Sequence, residues 1–240
     1  MGVQHHIVAL SGGKDSTAMA LHLQEIEPEK DFIFAITPTG DELPPMADHW
    51  HKLECLLGKP LIIVSPGFTL VDLTKKWNML PRFNARFCTK MLKIIPFKSW
   101  VCNHLPAVSY VGLRADEEGR TGMETDDLGL FFSTRFPLRE WGWGICEVLA
   151  YLDKRGVTVP ARTDCARCFH QTLHEWWTLW TQYPDIWASA VDDEDRTGHT
   201  YRSEERDTWP ASLRKLAEAF ETRGEPPQRD RTSGCRACQI

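Results

Sequence analysis

Four short apolar runs, HHIVAL, DFIFAIT, PLIIVSP and AVSYVGL, punctuate the first half of the chain, with segments of helical spacing between them. Each run is bounded by turn-forming residues and has the length of a single strand. Between the first two, Met19, Leu23 and Ile26 fall at i, i+4 and i+7, and PMADHWHKLECLLG, between the next two, ends on a glycine suited to a helix C-cap. Strands alternating with helices need crossover connections, and hence a parallel sheet. The runs are almost continuously apolar, as strands covered on both faces must be. The expected fold is therefore α/β: a parallel twisted sheet with helices on both faces.

After about Gly156 the texture changes. VTVPARTDCARC is punctuated by proline and cysteine, and Trp176, Trp180, Tyr183 and Trp187 then recur at i, i+4, i+7 and i+11. That spacing predicts one aromatic helix face, packing an appendage onto the sheet domain; a base-stacking platform is the alternative. A last helix is expected from about Pro210 to Thr222. The 240 residues thus divide into a nucleotide-binding α/β domain over 1–160 and a small helical, cysteine-bearing C-terminal module over 161–240.

No apolar run is long enough to span a bilayer, and none has the flanks of a signal peptide, which predicts a cytoplasmic protein without membrane partners. In a reducing compartment the eight cysteines more often hold metal or do redox work than form disulfides. A net charge of −5 argues against a protein that coats nucleic acid all over. Yet the segment from Lys75 to Lys98 carries seven basic residues and no acidic one, while the remainder holds 21 basic against 33 acidic residues. Either this is a solvated helix face or it is a site for a phosphorylated or sulfated ligand; Trp77, Phe83, Phe87 and Cys88 are threaded through it.

The first strand runs into SGGKDS, Ser11 to Ser16, followed by Thr17. Gly12 and Gly13 let the backbone turn and bring its N–H groups against phosphate oxygens. Ser16 and Thr17 sit at a helix start, where the dipole attracts anions. Lys14 can neutralise phosphate charge, and Asp15 can hold Mg²⁺ or orient the loop. A plain tight turn would account for the glycines and the serine but not for the lysine–aspartate pair.

This stretch resembles the PP-loop, SGGxDS, of the N-type ATP pyrophosphatases. That resemblance implies the adenine nucleotide alpha hydrolase-like fold, with ATP and Mg²⁺ bound at Ser11–Thr17 and cleavage of the α–β phosphate bond. Further stretches are similar to the phosphoadenosine phosphosulfate (PAPS) reductase-like branch: PTGDELPPM, which includes Thr39 and Gly40; RFCTKMLKIIPF; GLRADEEGR; and FPLREWGWGICEVLAYL, where Glu147 replaces the usual aspartate. The likeness spans roughly residues 4–170. It implies that Lys14, Asp15 and Arg114 carry the chemistry, that Gly112 and Arg114 join the nucleotide site, and that Arg82, Arg86, Lys90, Lys93 and Arg120 face the acceptor. Guanidinium offers Arg114 and Arg120 a bidentate fork for phosphate or sulfate.

Two departures bear on the activity. Sulfonucleotide reductases typically lack the intact Gly-Lys-Asp-Ser and end in Glu-Cys-Gly, whereas this loop is complete and the chain ends SGCRACQI. The pattern is closer to ATP-using relatives of phages and mobile elements, including sulfur-inserting components of DNA phosphorothioation. An adenylating enzyme of sulfur transfer or nucleic-acid modification is the expectation, with a sulfur donor or reductant protein and a nucleic-acid acceptor as partners. The alternatives are a PAPS reductase that uses its tail cysteines, and a nucleotide-binding accessory subunit of a modification or defence complex.

Cys165 and Cys168 form one CxxC, and Cys235 and Cys238 form a second. The resemblance favours a [4Fe–4S] cluster held by Cys88, Cys165, Cys168 and a tail cysteine. Structural Zn²⁺ between the two pairs, or a redox-active tail dithiol, are the other assemblies. Cys55, Cys102 and Cys146 occupy apolar positions of predicted helices and are expected in the core. His170 and His174, four apart, are expected to pack or cap rather than to bind metal.

Overall fold

The computed structural model describes residues 4–117, 119–120 and 126–228. Five strands, β1 (His5–Ala9), β2 (Phe32–Ile36), β3 (Leu61–Ile63), β4 (Ala107–Val111) and β5 (Phe132–Arg135), pair in the order β3-β2-β1-β4-β5. Every pair is parallel, and Val8 of β1 stands in register with Phe34 of β2 and Tyr110 of β4. The first four strands are the four apolar runs. The fifth, on FSTR, had no such signal, because an edge strand needs fewer apolar side chains than a central one.

Helices α1 (Lys14–Ile26), α2 (Pro44–Leu57) and α3 (Leu70–Trp77) follow β1, β2 and β3 in turn. Pro44 opens α2 and Gly58, in the left-handed region, closes it; a capping box of Thr69 and Asp72 opens α3. The segment 87–101 is helical throughout, but not uniformly. It begins as α4 (Phe87–Thr89), passes through a π turn at Lys90–Ile94 and continues as α5 (Ile95–Val101). The N–H of Ile95 donates to the Lys90 carbonyl, one residue further back than in an α-helix, just before Pro96, which has no N–H to give. Helices α6 (Pro137–Glu140) and α7 (Ile145–Lys154) follow β5.

Both faces of the sheet are covered. Val8, Phe34 and Tyr110 pack with Met19, Leu23, Leu53 and Val148 of α1, α2 and α7, while Ile7, Ala35 and Ala107 pack with Phe97 and Val101 of α5. The remaining helices, α8 (Leu173–Gln182), α9 (Pro184–Thr197) and α10 (Leu213–Arg223), form a third cluster with Leu43 and Leu80. Trp176 and Trp187 are buried in that cluster, so these aromatics pack rather than present a stacking platform. The single aromatic helix expected there is two. The chain breaks at Tyr183–Pro184, because proline has no N–H for a helix interior but suits a first turn.

Cys55, Cys102 and Cys146 are exposed, contrary to expectation. The buried stripe of α2 runs through Met46, His49, Leu53 and Leu57, and that of α7 through Val148 and Leu152; both miss the cysteine. Cys102 starts a 3₁₀ turn beyond α5. Among the described residues, no helix is long and apolar enough to cross a membrane.

Candidate functional site

The sheet order reverses between β1 and β4, and ligands of open α/β sheets bind at the carboxyl edge of such a switch point. A cavity of about 250 Å³ lies there. Its wall includes the SGGKDS loop, Gly112 after β4, Thr89 and Lys93 from the 87–101 helical run, and Arg120. Segments up to about 100 residues apart in the chain, singled out separately in the sequence, therefore meet around one space.

The loop is held by its own side chains. Ser16 Oγ donates to the Gly13 carbonyl (3.1 Å), accepts from Ser11 N–H (3.2 Å) and lies 3.0 Å from Ser11 Oγ. Gly12 has φ +81°, and a Cβ there would come within 3.0 Å of Met46 Cε and Trp50 Nε1. Its carbonyl accepts from Nε2 of the buried His49 at 2.9 Å. Burial lowers the pKa of His49, so the ring is neutral and carries its proton on Nε2. Gly13 caps α1 without a side-chain hydrogen bond, leaving the N–H groups of the first turn for a ligand. Gly112 approaches from β4 so closely that a Cβ would lie 3.1 Å from Ser16 N and 3.2 Å from Ser16 Cα. Thr17 is fully buried beneath the loop.

Arg114 stands behind this loop. Its guanidinium is buried, with Nη1 2.9 Å from Asp15 Oδ2 and Nε 2.8 Å from Asp116 Oδ1. The fork expected to grip a phosphate is engaged with carboxylates and fixes Asp15. The other carboxylate oxygen, Asp15 Oδ1, is buried without a hydrogen-bond partner, and Asp15 lies on the cavity wall. Burial pushes the Asp15 carboxyl above its ordinary pKa, although Arg114 and Lys14 pull the other way. An orphaned carboxylate oxygen in a cavity is the kind of donor that Mg²⁺ takes.

The other expected residues divide. Lys14, Lys93 and Arg120 reach the cavity wall, and Arg120 also pairs with Glu117 at 2.8 Å. Lys90 is exposed, Arg86 caps α4, and Arg82 lines a different cavity. Gly40 is exposed at a turn. Thr39 is buried, donates to Glu42 Oε1 at 2.7 Å and lies 3.1 Å from Cys165 Sγ.

Cys165 is linked to Glu42 by a β-bridge and lines a smaller cavity, about 50 Å³, that shares Ser11, Lys93 and Thr163 with the larger one. Burial pushes both CxxC thiols up, Cys168 to about 12, so the pair is protonated at neutral pH unless a cation holds the thiolates. Cys88, half-buried, packs in the small cluster around Leu70 and Leu92. Among the described residues, however, no group of three His, Cys, Asp or Glu side chains is gathered to hold a metal, and Cys235 and Cys238 lie outside them. His170 precedes α8 and stacks on Phe169, whereas His174 lies on α8 and pairs with Glu225, so the two do not share a helix face.

His49, Thr163 and the buried pair of Asp41 and Arg167 escaped the sequence reading. His49 had one available signal: it occupies the buried stripe of α2 three residues after Met46 and four before Leu53.

No family model matches the sequence, nor does any curated protein. Solved structures do. A phosphoadenylyl-sulfate (PAPS) reductase from Candida auris, in a phosphate complex, aligns with a TM-score of 0.52 and 16% identity, covering 65% of this chain and 75% of that one. The U34-tRNA thiolase NcsA from Methanococcus maripaludis, with its [4Fe-4S] cluster, aligns with a TM-score of 0.52 and 17% identity, covering 88% of this chain and 78% of that one. At such identity the likeness is one of architecture. The five-stranded parallel sheet flanked by helices is the adenine nucleotide alpha hydrolase fold.

Proposed function

We propose that the chain is a PP-loop enzyme that binds ATP and breaks its α–β phosphate bond, transferring the adenylyl group to an acceptor in sulfur transfer or nucleic-acid modification. The observation that carries this reading is the orphaned Asp15 Oδ1 beside Lys14 and the uncapped start of α1, all on one cavity at the switch point. An acceptor oxygen attacks the α-phosphorus, and the bond to the bridging oxygen breaks. Pyrophosphate leaves with the electron pair, its charge met by Lys14 and the α1 amides. Asp15, held by Arg114, would ligate Mg²⁺, which supplies charge neutralisation on the phosphates. Lys93 and Arg120 hold the acceptor side of the cavity, with Arg82, Arg86 and Lys90 further along the same basic segment.

Cys88, Cys165 and Cys168, completed by Cys235 or Cys238, are the proposed thiolate ligands of a [4Fe–4S] cluster; in the alternative, Cys165, Cys168, Cys235 and Cys238 hold Zn²⁺ and Cys88 is left out. A sulfur donor or reductant protein would then be a partner. The likeness in architecture to a PAPS reductase supports a second reading, a sulfonucleotide reductase working through its cysteines. Incubation with ATP and Mg²⁺ separates the two. Release of pyrophosphate, followed by AMP when water or a sulfur nucleophile displaces it from the adenylylated acceptor, supports the first; turnover of PAPS with a thioredoxin and indifference to ATP supports the second.

A further inference from the structure

A second cavity, about 520 Å³, opens between the 80–84 loop and the 198–206 segment of the C-terminal module. Its wall carries Arg82, Phe83, Phe169, Arg202 and Arg206. Phe83 is 73% exposed, at the tip of a turn closed by reciprocal backbone hydrogen bonds between Arg82 and Ala85. The turn holds an aromatic face in solvent beside an arginine, an arrangement that core packing does not require. Across from it, Arg206 donates to the carbonyls of Phe169 and His170, which fixes its charge on the rim. Arg202 is fully buried and pairs with Asp207, yet its Nη1 has no partner. With Arg202 neutralised by Asp207, the described wall sets Arg82 and Arg206 against one carboxylate, Glu204. On a chain of net charge −5, this is a local positive pocket with an exposed ring at its mouth.

We infer that this cleft binds single-stranded nucleic acid, stacking an unpaired base on Phe83 and holding its phosphates on Arg82 and Arg206. Stacking on an aromatic face combined with arginines along the backbone is how single strands are held without sequence preference. The inference deepens the proposed function, since it rests on the acceptor being a nucleic acid. The stretch from Cys165 to Phe169 joins the two sites, running from the wall of the small cavity beside the loop to the wall of this cleft. Four residue steps separate those Cα atoms by at most about 15 Å.

The test is fluorescence anisotropy with a labelled uridine oligonucleotide, without ATP, on the full chain. The wild type should bind the single strand and discriminate against a duplex of equal length. Phe83→Ala should weaken binding about ten-fold. Arg82→Ala should weaken it and lower the salt slope by about one. Lys154→Ala, at the exposed end of α7, should bind as the wild type does. No binding, equal binding of the duplex, or full affinity in both cleft variants overturns the inference. Because no nucleotide is present, loss of ATP cleavage leaves this result standing, and the converse also holds.

Discussion

Arg167 Nη2 lies 2.6 Å from Asp41 Oδ1, both side chains being buried, and Nε of the same guanidinium reaches that oxygen at 2.9 Å. Arg167 is the second residue between the CxxC cysteines, and its Nη1 also contacts Asp193 of α9 at 3.2 Å. One side chain thus ties the cysteine loop, the loop after β2 and the C-terminal helices together. Removing one member strands a buried charge. Asp41→Ala should cost about 3–5 kcal/mol of stability, read by denaturant unfolding. An apolar double replacement, Asp41→Leu with Arg167→Met, should recover part of that loss.

Lys14→Ala should lower AMP and pyrophosphate release by two orders of magnitude or more while leaving the melting temperature close to that of the wild type, since Lys14 lies on the cavity wall and not in the core. Asp15→Asn should raise the Mg²⁺ concentration needed for half-maximal rate. Unchanged Mg²⁺ dependence in that variant would remove Asp15 from the metal site.

Gly112→Ala would place a methyl group 3.1 Å from Ser16 N, against backbone that cannot swing away. Overpacking of this kind costs about 1–3 kcal/mol, and here it presses on the SGGKDS loop itself. Nucleotide affinity, measured by calorimetry, should fall more than stability does.

Four strands and the SGGKDS turn between β1 and α1 were legible because they are local: an apolar run, a turn, a helix start. The edge strand β5 was not, because Ser133, Thr134 and Arg135 dilute its apolar signal. The role of Arg114 was legible only in part. Its position beside the loop follows from the motif, but its engagement with Asp15, 99 residues away in sequence, is a tertiary fact. The same limit applies to Arg167, whose charge reads as surface in the sequence and is neutralised in the interior only by partners from two distant segments.

Glu194 is buried in the C-terminal module, and burial raises its carboxyl pKa to about 7, against backbone N–H bonds from Tyr201 and Leu213 that favour the charged form. A carboxyl raised on folding stabilises fully below its unfolded value near 4.5, and that contribution is lost as pH rises through about 7. Stability should therefore decline between pH 5 and 8, by up to about 3 kcal/mol from this group. Glu194→Gln should flatten that decline in thermal melts; an unchanged slope would exclude the group.

Anaerobically purified protein should carry metal bound by thiolate, read by elemental analysis and absorption. Iron with a brown charge-transfer spectrum supports the cluster, and colourless stoichiometric zinc supports the alternative. Cys165→Ser should lose the metal in either case. Anaerobically purified protein that is metal-free by both elemental analysis and absorption would remove the cysteines from any ligand role.

The π turn has a consequence for the whole 87–101 segment. Leu92, Phe97 and Val101 are among the residues that this segment buries, and their spacings are five and four. A uniform α-helix would carry Phe97 well around the cylinder from Leu92. The wide turn absorbs the surplus residue and brings both stripes back into line, so that one rod can grip the small cluster around Leu70 at its start and the sheet at its end. Deleting Met91 or Leu92 would put the two halves out of phase and shift Lys93 from its place on the cavity wall.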